Sequence, residues 1–189
     1  MKTRLLAPEN VALQIIDMQK SLMAKIHEAE KVAATVELMI RCAGILGIPI
    51  LANTQYKKGL GPYVDSIAEI VAEVPQFDKV EFNALANGET AAFIDDLPDR
   101  VRTIVLVGVE THICIYQTAM GLLEKGKEVW IVSDGVSARN VSDHREGLAR
   151  LQAAGVAIGS AEMLIYELLG KAGTPEFKRI LPYIIARNE

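Results

Sequence analysis

Cys114 is one of two cysteines in the sequence, and its position would suit a nucleophile. It lies at the predicted start of a helix over residues 115–125. Unpaired backbone N–H groups and the positive end of the helix dipole stabilise a thiolate there and lower its pKa. The same N–H groups could bind an oxyanion formed when the thiolate attacks a carbonyl. The alternative is that Cys114 is a small buried hydrophobic residue, as free cysteines usually are.

Asp17 and Lys79 carry charges that could assist such a thiolate. Asp17 directly follows an apolar run at residues 11–16. Its carboxylate either caps a loop or, beside a cysteine at a neighbouring strand end, acts as a base. Burial would raise the pKa of that carboxyl group toward the range useful for proton transfer. Lys79 lies in the mixed segment 76–83, which could be a surface loop. A lone lysine is most often solvated, and its position alone indicates no other role.

Five short apolar runs alternate with helical patterns along the chain. The runs occupy residues 11–16, 48–52, 103–107, 129–132 and 156–158. Continuous β-branched runs indicate strands buried on both faces, as in a parallel sheet. Helical spacing covers 32–46, 115–125 and 160–169, a further helix begins near 142 with Ser142 or Asp143 as its cap, and Thr174-Pro175 opens a last one. This alternation predicts an α/β fold with helices on both faces of the sheet.

Composition excludes several classes of protein. The 189 residues suit a single domain over 1–189, and 50% hydrophobic with 23% charged residues is an ordinary globular balance. The net charge is −4 and no basic run exceeds Lys57-Lys58, so we expect no nucleic-acid partner. Two cysteines are too few for a disulfide framework. No apolar run approaches the roughly 20 residues of a membrane span, and Pro8 comes too early for a signal peptide. We therefore expect a soluble, cytoplasmic protein.

Ligands of open parallel sheets bind beyond the carboxyl ends of the strands, where the strand order reverses. The runs at 11–16 and 103–107 are the candidates to flank that point. Asp17 follows the first of them, and the stretch 108–114 follows the second. Residues 53–56 follow the run at 48–52. These three segments are the candidates for a shared site.

The sequence resembles the isochorismatase-like cysteine hydrolases over nearly its whole length, from about Val11 to the late helices. The matching stretches are Ile16-Asp17-Met18-Gln19, a lysine a few residues before Phe82-Asn83, Gly108-Val109-Glu110-Thr111-His112-Ile113-Cys114, and Val132-Ser133-Asp134-Gly135 after the fourth run. The glycine-to-cysteine stretch is the specific part. The resemblance implies a doubly wound, mostly parallel sheet of about six strands, with an additional strand near 77–80 that periodicity alone does not predict.

The resemblance also implies the residues of a site. The family triad falls on Asp17, Lys79 and Cys114, and a non-proline cis peptide falls on the Val109–Glu110 bond. The backbone amides of Glu110 and Cys114 would form the oxyanion hole. The residues expected to line a substrate pocket are Gln19, Gln55, Tyr56 and Val109.

The implied activity is a metal-independent cysteine hydrolase that cleaves an amide or other C–N bond of a small carbonyl compound through a thioester. Residues 53–58 lack the histidines and aspartate that bind metal in related nicotinamidases, so we expect neither metal nor cofactor. Thr54-Gln55-Tyr56 with Gly59-Leu60-Gly61-Pro62 is similar to the isochorismatase domain-containing subset. Family members commonly form homo-oligomers. The alternatives are a catalytically silent scaffold of the same fold and a nucleotide-binding flavodoxin-like protein, which would lack a phosphate loop.

Overall fold

The computed structural model describes residues 5–187. They form one sheet of six parallel strands in the order β3-β2-β1-β4-β5-β6. The strands are β1 Val11–Ile16, β2 Ile50–Gln55, β3 Gln76–Lys79, β4 Thr103–Val109, β5 Glu128–Ser137 and β6 Ala157–Gly159. The predicted α/β class and doubly wound sheet are confirmed. The expected domain over 1–189 includes residues 1–4 and 188–189, which lie outside the described part of the chain.

Helices cover both faces of the sheet. They are α1 Lys20–Met23, α2 Ala29–Leu46, α3 Lys57–Leu60, α4 Asp65–Ala68, α5 Gly88–Asp95, α6 Tyr116–Glu124, α7 Val141–Ala153, α8 Ala161–Leu169 and α9 Pro175–Arg187. Helices α2, α8 and α9 share one apolar core with the face of β1 that carries Leu13 and Ile15. Helices α5, α6 and α7 share a second core with Ala12 and Ile16. Because successive strand side chains point to opposite faces, a continuous apolar run supplies both cores.

Strand β1 occupies the centre of the sheet. It pairs with β2 on one side and β4 on the other, so that Leu13 lies opposite both Ile50 and Val105. All residues of β1 and β4 are buried. The strand order reverses between β1 and β4, as the sequence predicts. The carboxyl ends of these strands therefore flank the crevice where ligands of such folds bind.

Several element boundaries differ from the predictions. Strand β2 begins and ends later than predicted and includes Asn53, whose buried side chain accepts a hydrogen bond from Gln14 (2.8 Å) and donates one to Thr90 (2.9 Å). These bonds satisfy a polar side chain that the sequence assigns to a loop. Strand β5 extends to Ser137, so residues 132–135 lie within it rather than after it. Asn140 is the N-cap of α7, in place of the predicted Ser142 or Asp143.

Gly108 allows β4 to approach β1 closely near the crevice. Its φ is +115°, and a Cβ atom built there would lie 2.0 Å from the carbonyl oxygen of Ile16. Only glycine adopts this conformation without strain and leaves room for that oxygen. The chain then passes through a π-helical turn, Thr111–Ile115, into α6. Across residues 5–187, we find no helix with the length and apolarity needed to span a bilayer.

Candidate active site

Three strand ends bring together Asp17, Lys79 and Cys114. Asp17 directly follows β1, Lys79 is the last residue of β3, and Cys114 lies in the π-helical turn after β4. The Nζ atom of Lys79 lies 2.8 Å from Oδ2 of Asp17, and the two residues are 1% and 0% exposed. Cys114 is 7% exposed and close enough that both charges affect the pKa of its thiol. The structure thus places a thiol, a carboxylate and an ammonium in one buried cluster.

The backbone at Asp17 turns sharply. Its φ is +55°, which is uncommon for a residue other than glycine. Its N–H donates to the carbonyl oxygen of Asn53 (3.0 Å), and its own carbonyl oxygen accepts from the N–H of Gln19 (2.8 Å). These bonds hold a conformation that usually persists only where the surroundings enforce it.

The ammonium of Lys79 has a second acceptor in Gln55. Nζ donates to Oε1 of Gln55 at 2.6 Å, while Nε2 of Gln55 donates to the carbonyl oxygen of Val80 at 2.8 Å. Gln55 is the last residue of β2 and lies beside Lys79 in the sheet register. Both strand ends therefore hold the ammonium opposite Asp17.

Gln19 is fully buried, and its side chain binds backbone groups. Oε1 accepts from the N–H of Gln55 at 2.7 Å, and Nε2 donates to the carbonyl oxygens of Gln55 (3.1 Å) and Gly61 (2.9 Å). Both donors of its amide are thus used. The sequence suggests Gln19 as a pocket residue, whereas this geometry assigns it to the scaffold that ties the Asp17 turn to β2.

Burial dominates the electrostatics of the cluster. It raises the pKa of Asp17 above the usual value for a carboxyl group, although the positive charge of Lys79 acts in the opposite direction. Burial also raises the pKa of the Cys114 thiol to about 12, and the charge of Asp17 adds to the increase while Lys79 opposes it. The lowered Cys114 pKa expected from the sequence is not found, because desolvation outweighs the opposing charge of Lys79. The resting cysteine is a thiol beside a carboxylate of increased basicity.

The turn that carries Cys114 is anchored on both sides. The Val109–Glu110 peptide bond is cis, and Val109 is fully buried at the end of β4. The carboxylate of Glu110 accepts hydrogen bonds from the backbone N–H (2.9 Å) and Nε (3.2 Å) of Arg139. Oγ1 of Thr111 lies 2.9 Å from Nδ1 of His144. These contacts attach the turn to the segment that leads into α7 and to α7 itself.

Tyr56 lies at the exposed side of the cluster. It is half exposed, and its N–H donates to the carbonyl oxygen of Lys79 at 2.8 Å. Its ring covers Gly59, where a Cβ atom would fall 2.2 Å from Cε1 of the ring. The glycine pattern of residues 59–61 thus accommodates an aromatic ring rather than a phosphate group.

Tyr63 is a buried residue near the cluster that sequence reasoning missed. Its hydroxyl has no hydrogen-bond partner within residues 5–187, and burial together with the charges of Asp17 and Asp78 raises its pKa. Oδ1 of Asp17 is likewise buried and accepts no hydrogen bond of standard geometry there. No pattern in the sequence marks Tyr63, because it follows Gly61-Pro62 in a loop.

His112 lies in the same turn as Cys114, but both His112 and His144 have partners outside the Asp17–Lys79–Cys114 cluster. Nε2 of His112 is 4.0 Å from Oδ2 of Asp143, and His144 contacts Thr111. Over the described residues, 5–187, no three His, Cys, Asp or Glu side chains are grouped to hold a metal ion.

Comparisons with known proteins identify the family. The Isochorismatase domain matches residues 11–163. The secreted isochorismatase effector Isc1 of Phytophthora sojae is 33% identical over 178 residues, which cover 93% of this chain and 84% of that protein. Isochorismatase domain-containing protein 1 of Salmo salar is 34% identical over 175 residues, and this match covers 93% of the chain but only 61% of that relative.

A solved structure agrees with these matches. The structure of MAR1 ribonuclease from Caenorhabditis elegans superposes with a TM-score of 0.89 at 32% identity, covering 96% of this chain and 93% of that one. Sequence and fold lead to the same assignment. The chain belongs to the isochorismatase family.

Proposed function

We propose that this protein is a metal-independent cysteine hydrolase that cleaves an amide or another C–N bond of a small carbonyl compound through a thioester on Cys114. Membership of the isochorismatase family supports a hydrolase. The observation that carries the finer proposal is the buried contact of 2.8 Å between Lys79 and Asp17, beside the thiol of Cys114. Charged side chains are rarely fully buried, and groups with a perturbed pKa, such as Asp17 and Cys114, cluster at functional sites.

In the first step, the carboxylate of Asp17 takes the thiol proton as the sulfur of Cys114 bonds to the carbonyl carbon. The raised pKa of Asp17 makes it a stronger base, which suits a thiol whose pKa burial has also raised. The carbonyl oxygen becomes an oxyanion, which the backbone amides of Glu110 and Cys114 stabilise. The ammonium of Lys79 offsets the negative charge that develops on sulfur and oxygen.

In the second step, the C–N bond breaks and Asp17 returns its proton to the leaving nitrogen, which produces the thioester. Water then attacks the thioester carbon while Asp17 again accepts a proton. The C–S bond breaks, and Cys114 recovers its proton from Asp17 as the acid is released. Tyr56 and Val109 stay proposed pocket residues, while the side chain of Gln55 bonds to Lys79.

Replacing the nucleophile tests this mechanism. A screen of small amides, carbamoyl compounds and ureas identifies a substrate, and Cys114→Ala then lowers turnover at least about 1,000-fold because no thioester can form. Cys42→Ala is the matched control, since Cys42 is buried in the core on the opposite side of β1 from the Cys114 cluster. Mass spectrometry of the quenched reaction detects an acyl group on Cys114. Undiminished turnover by Cys114→Ala would rule out the covalent scheme.

RNA belongs in the same screen as a second candidate substrate class, because the relative from C. elegans is named a ribonuclease. The net charge of −4 and the lack of a basic run in the sequence argue against RNA. RNA cleavage that survives Cys114→Ala would favour that class. If the protein turns over neither the small carbonyl compounds nor RNA, and Cys114 reacts no faster than Cys42, the protein would be the catalytically silent scaffold.

A further inference from the structure

We propose that Gln55 is a positioning residue that fixes the ammonium of Lys79 relative to Asp17 and Cys114. This inference rests on the proposed function, because it gives Gln55 a role in the reaction through Lys79 rather than through the substrate. It also revises the expectation from the sequence, in which Gln55 lines the pocket.

The hydrogen-bond geometry of Lys79 carries the first step of the argument. An ammonium group has three donors and no acceptor. One donor goes to Oδ2 of Asp17 at 2.8 Å and a second goes to Oε1 of Gln55 at 2.6 Å. Two fixed acceptors determine where Nζ lies, and they leave the third donor for the sulfur of Cys114 or a substrate oxygen.

The orientation of the Gln55 amide carries the second step. Nε2 of Gln55 donates to the carbonyl oxygen of Val80, the residue that follows Lys79. A flipped amide would direct its NH₂ group at the ammonium and its oxygen at the Val80 carbonyl oxygen, and both contacts would be repulsive. The side chain therefore joins the backbone after Lys79 to the ammonium of Lys79, with its oxygen as the acceptor.

Gln55 is itself held in place by Gln19. The buried amide of Gln19 bonds to both the N–H and the carbonyl oxygen of Gln55, and Gln19 lies two residues after Asp17. A continuous set of hydrogen bonds thus connects the turn at Asp17, through Gln19, with Gln55 and the ammonium of Lys79. Supporting contacts of this kind hold a catalytic group in its productive geometry.

The lack of charge on the Gln55 side chain also affects the electrostatics of the cluster. Its amide oxygen accepts a hydrogen bond from Lys79 without adding a second carboxylate to the cluster. The positive charge of Lys79 lowers the pKa of the Cys114 thiol against the larger effect of burial. An ammonium that shifts away from the sulfur would support the thiolate less, because the interaction falls with distance.

The test measures the rate at which iodoacetamide alkylates Cys114 across a range of pH, which requires no known substrate. Gln55→Met keeps the length of the side chain but removes the acceptor and the donor. We expect the rate of Cys114 alkylation to fall about tenfold at each pH below the pKa of the thiol, which corresponds to a rise of about one unit in that pKa. Gln76→Met is the matched control. Gln76 is the first residue of β3, at the opposite end from Lys79, and its side chain donates to the carbonyl oxygen of Val71. Gln76→Met should leave the pH profile of Cys114 alkylation unchanged.

A double substitution separates positioning from a general structural effect. If Gln55 acts through Lys79, then Gln55→Met has little further effect on alkylation in a Lys79→Met background. Thermal melts show that each variant is folded at the assay temperature. A wild-type profile for Gln55→Met would overturn the proposal, and so would a tenfold effect that persists without Lys79.

Failure of the Gln55 proposal is distinguishable from failure of the proposed function. The hydrolase proposal fails if Cys114→Ala retains turnover. The Gln55 proposal fails if Cys114→Ala abolishes turnover but the alkylation rate of Cys114 does not respond to Gln55→Met.

Discussion

Removal of one member of the Lys79–Asp17 pair should destabilise the protein far more than removal of both charges. Lys79→Met leaves the carboxylate of Asp17 buried without its ammonium, and Asp17→Asn leaves the ammonium without its carboxylate. The double variant leaves neither charge. The two groups lie 2.8 Å apart and are at most 1% exposed, so they interact far more strongly than a surface pair.

The magnitude follows from that geometry. At 2.8 Å and an effective dielectric constant of about 20, the attraction between the charges is about 6 kcal/mol. Desolvation offsets much of it, so the net loss on breaking a buried pair is about 3–5 kcal/mol. We expect each single variant to lose about that much free energy of unfolding. The double variant should lose at least about 2 kcal/mol less than either single variant, because it leaves no uncompensated buried charge.

Lys79→Met should also change the pH dependence of stability. Burial raises the pKa of Asp17 above its unfolded value of 3.8, and the loss of Lys79 removes the main influence that lowers it. A group whose pKa is higher in the folded state destabilises the fold progressively as pH rises above the unfolded value and through the folded one. The cost of Lys79→Met should therefore be smaller near pH about 5 than near pH about 8.

Urea denaturation measures these free energies. The fluorescence of Trp130, the only tryptophan, and far-ultraviolet circular dichroism follow unfolding in the wild type and the three variants. Similar m values justify the comparison. The reasoning is refuted if the losses of the single variants simply add in the double variant, or if Lys79→Met loses less than about 1 kcal/mol at pH about 8.

Two further predictions follow from the backbone and from α7. Gly108→Ala should lose at least about 4 kcal/mol in a urea melt, because its Cβ would overlap the Ile16 carbonyl oxygen. Gly44→Ala, with open space around it in α2, should instead gain about 0.5–1 kcal/mol, and equal effects would contradict this account. Burial, His27 and Arg145 lower the pKa of His144, so wild-type stability should fall as pH drops below about 6.5. In His144→Gln, the free energy of unfolding should decline less steeply over that range. A pH profile identical to that of the wild type would contradict the assignment of the decline to His144.

The fold class was readable from local pattern. Strand β1 has the predicted boundaries, since its apolar run is continuous and both faces are buried. Helix α8 begins one residue after the predicted Ser160, whose side chain accepts a hydrogen bond from the N–H of Met163. Signals of this kind arise from neighbouring residues and therefore survive in the sequence.

Strand β3 shows where local pattern failed. It lies at the edge of the sheet, and three of its four residues are exposed or half-buried, so it has no apolar run to detect. Only the family resemblance implied a strand near 77–80. The polar end of β2 escaped prediction for a related reason, because Asn53 is satisfied by partners distant in the chain, Gln14 and Thr90.

For the site, the sequence by itself determined that Asp17 and Cys114 follow strands that meet at one edge of the sheet. Only the tertiary structure decided that Lys79, 62 residues from Asp17, would bond to it, that Gln55 would accept a second hydrogen bond, and that the Cys114 pKa would rise. The physical reason is that pKa values and hydrogen-bond partners depend on burial. Burial of one residue is produced by elements that lie far from it along the chain.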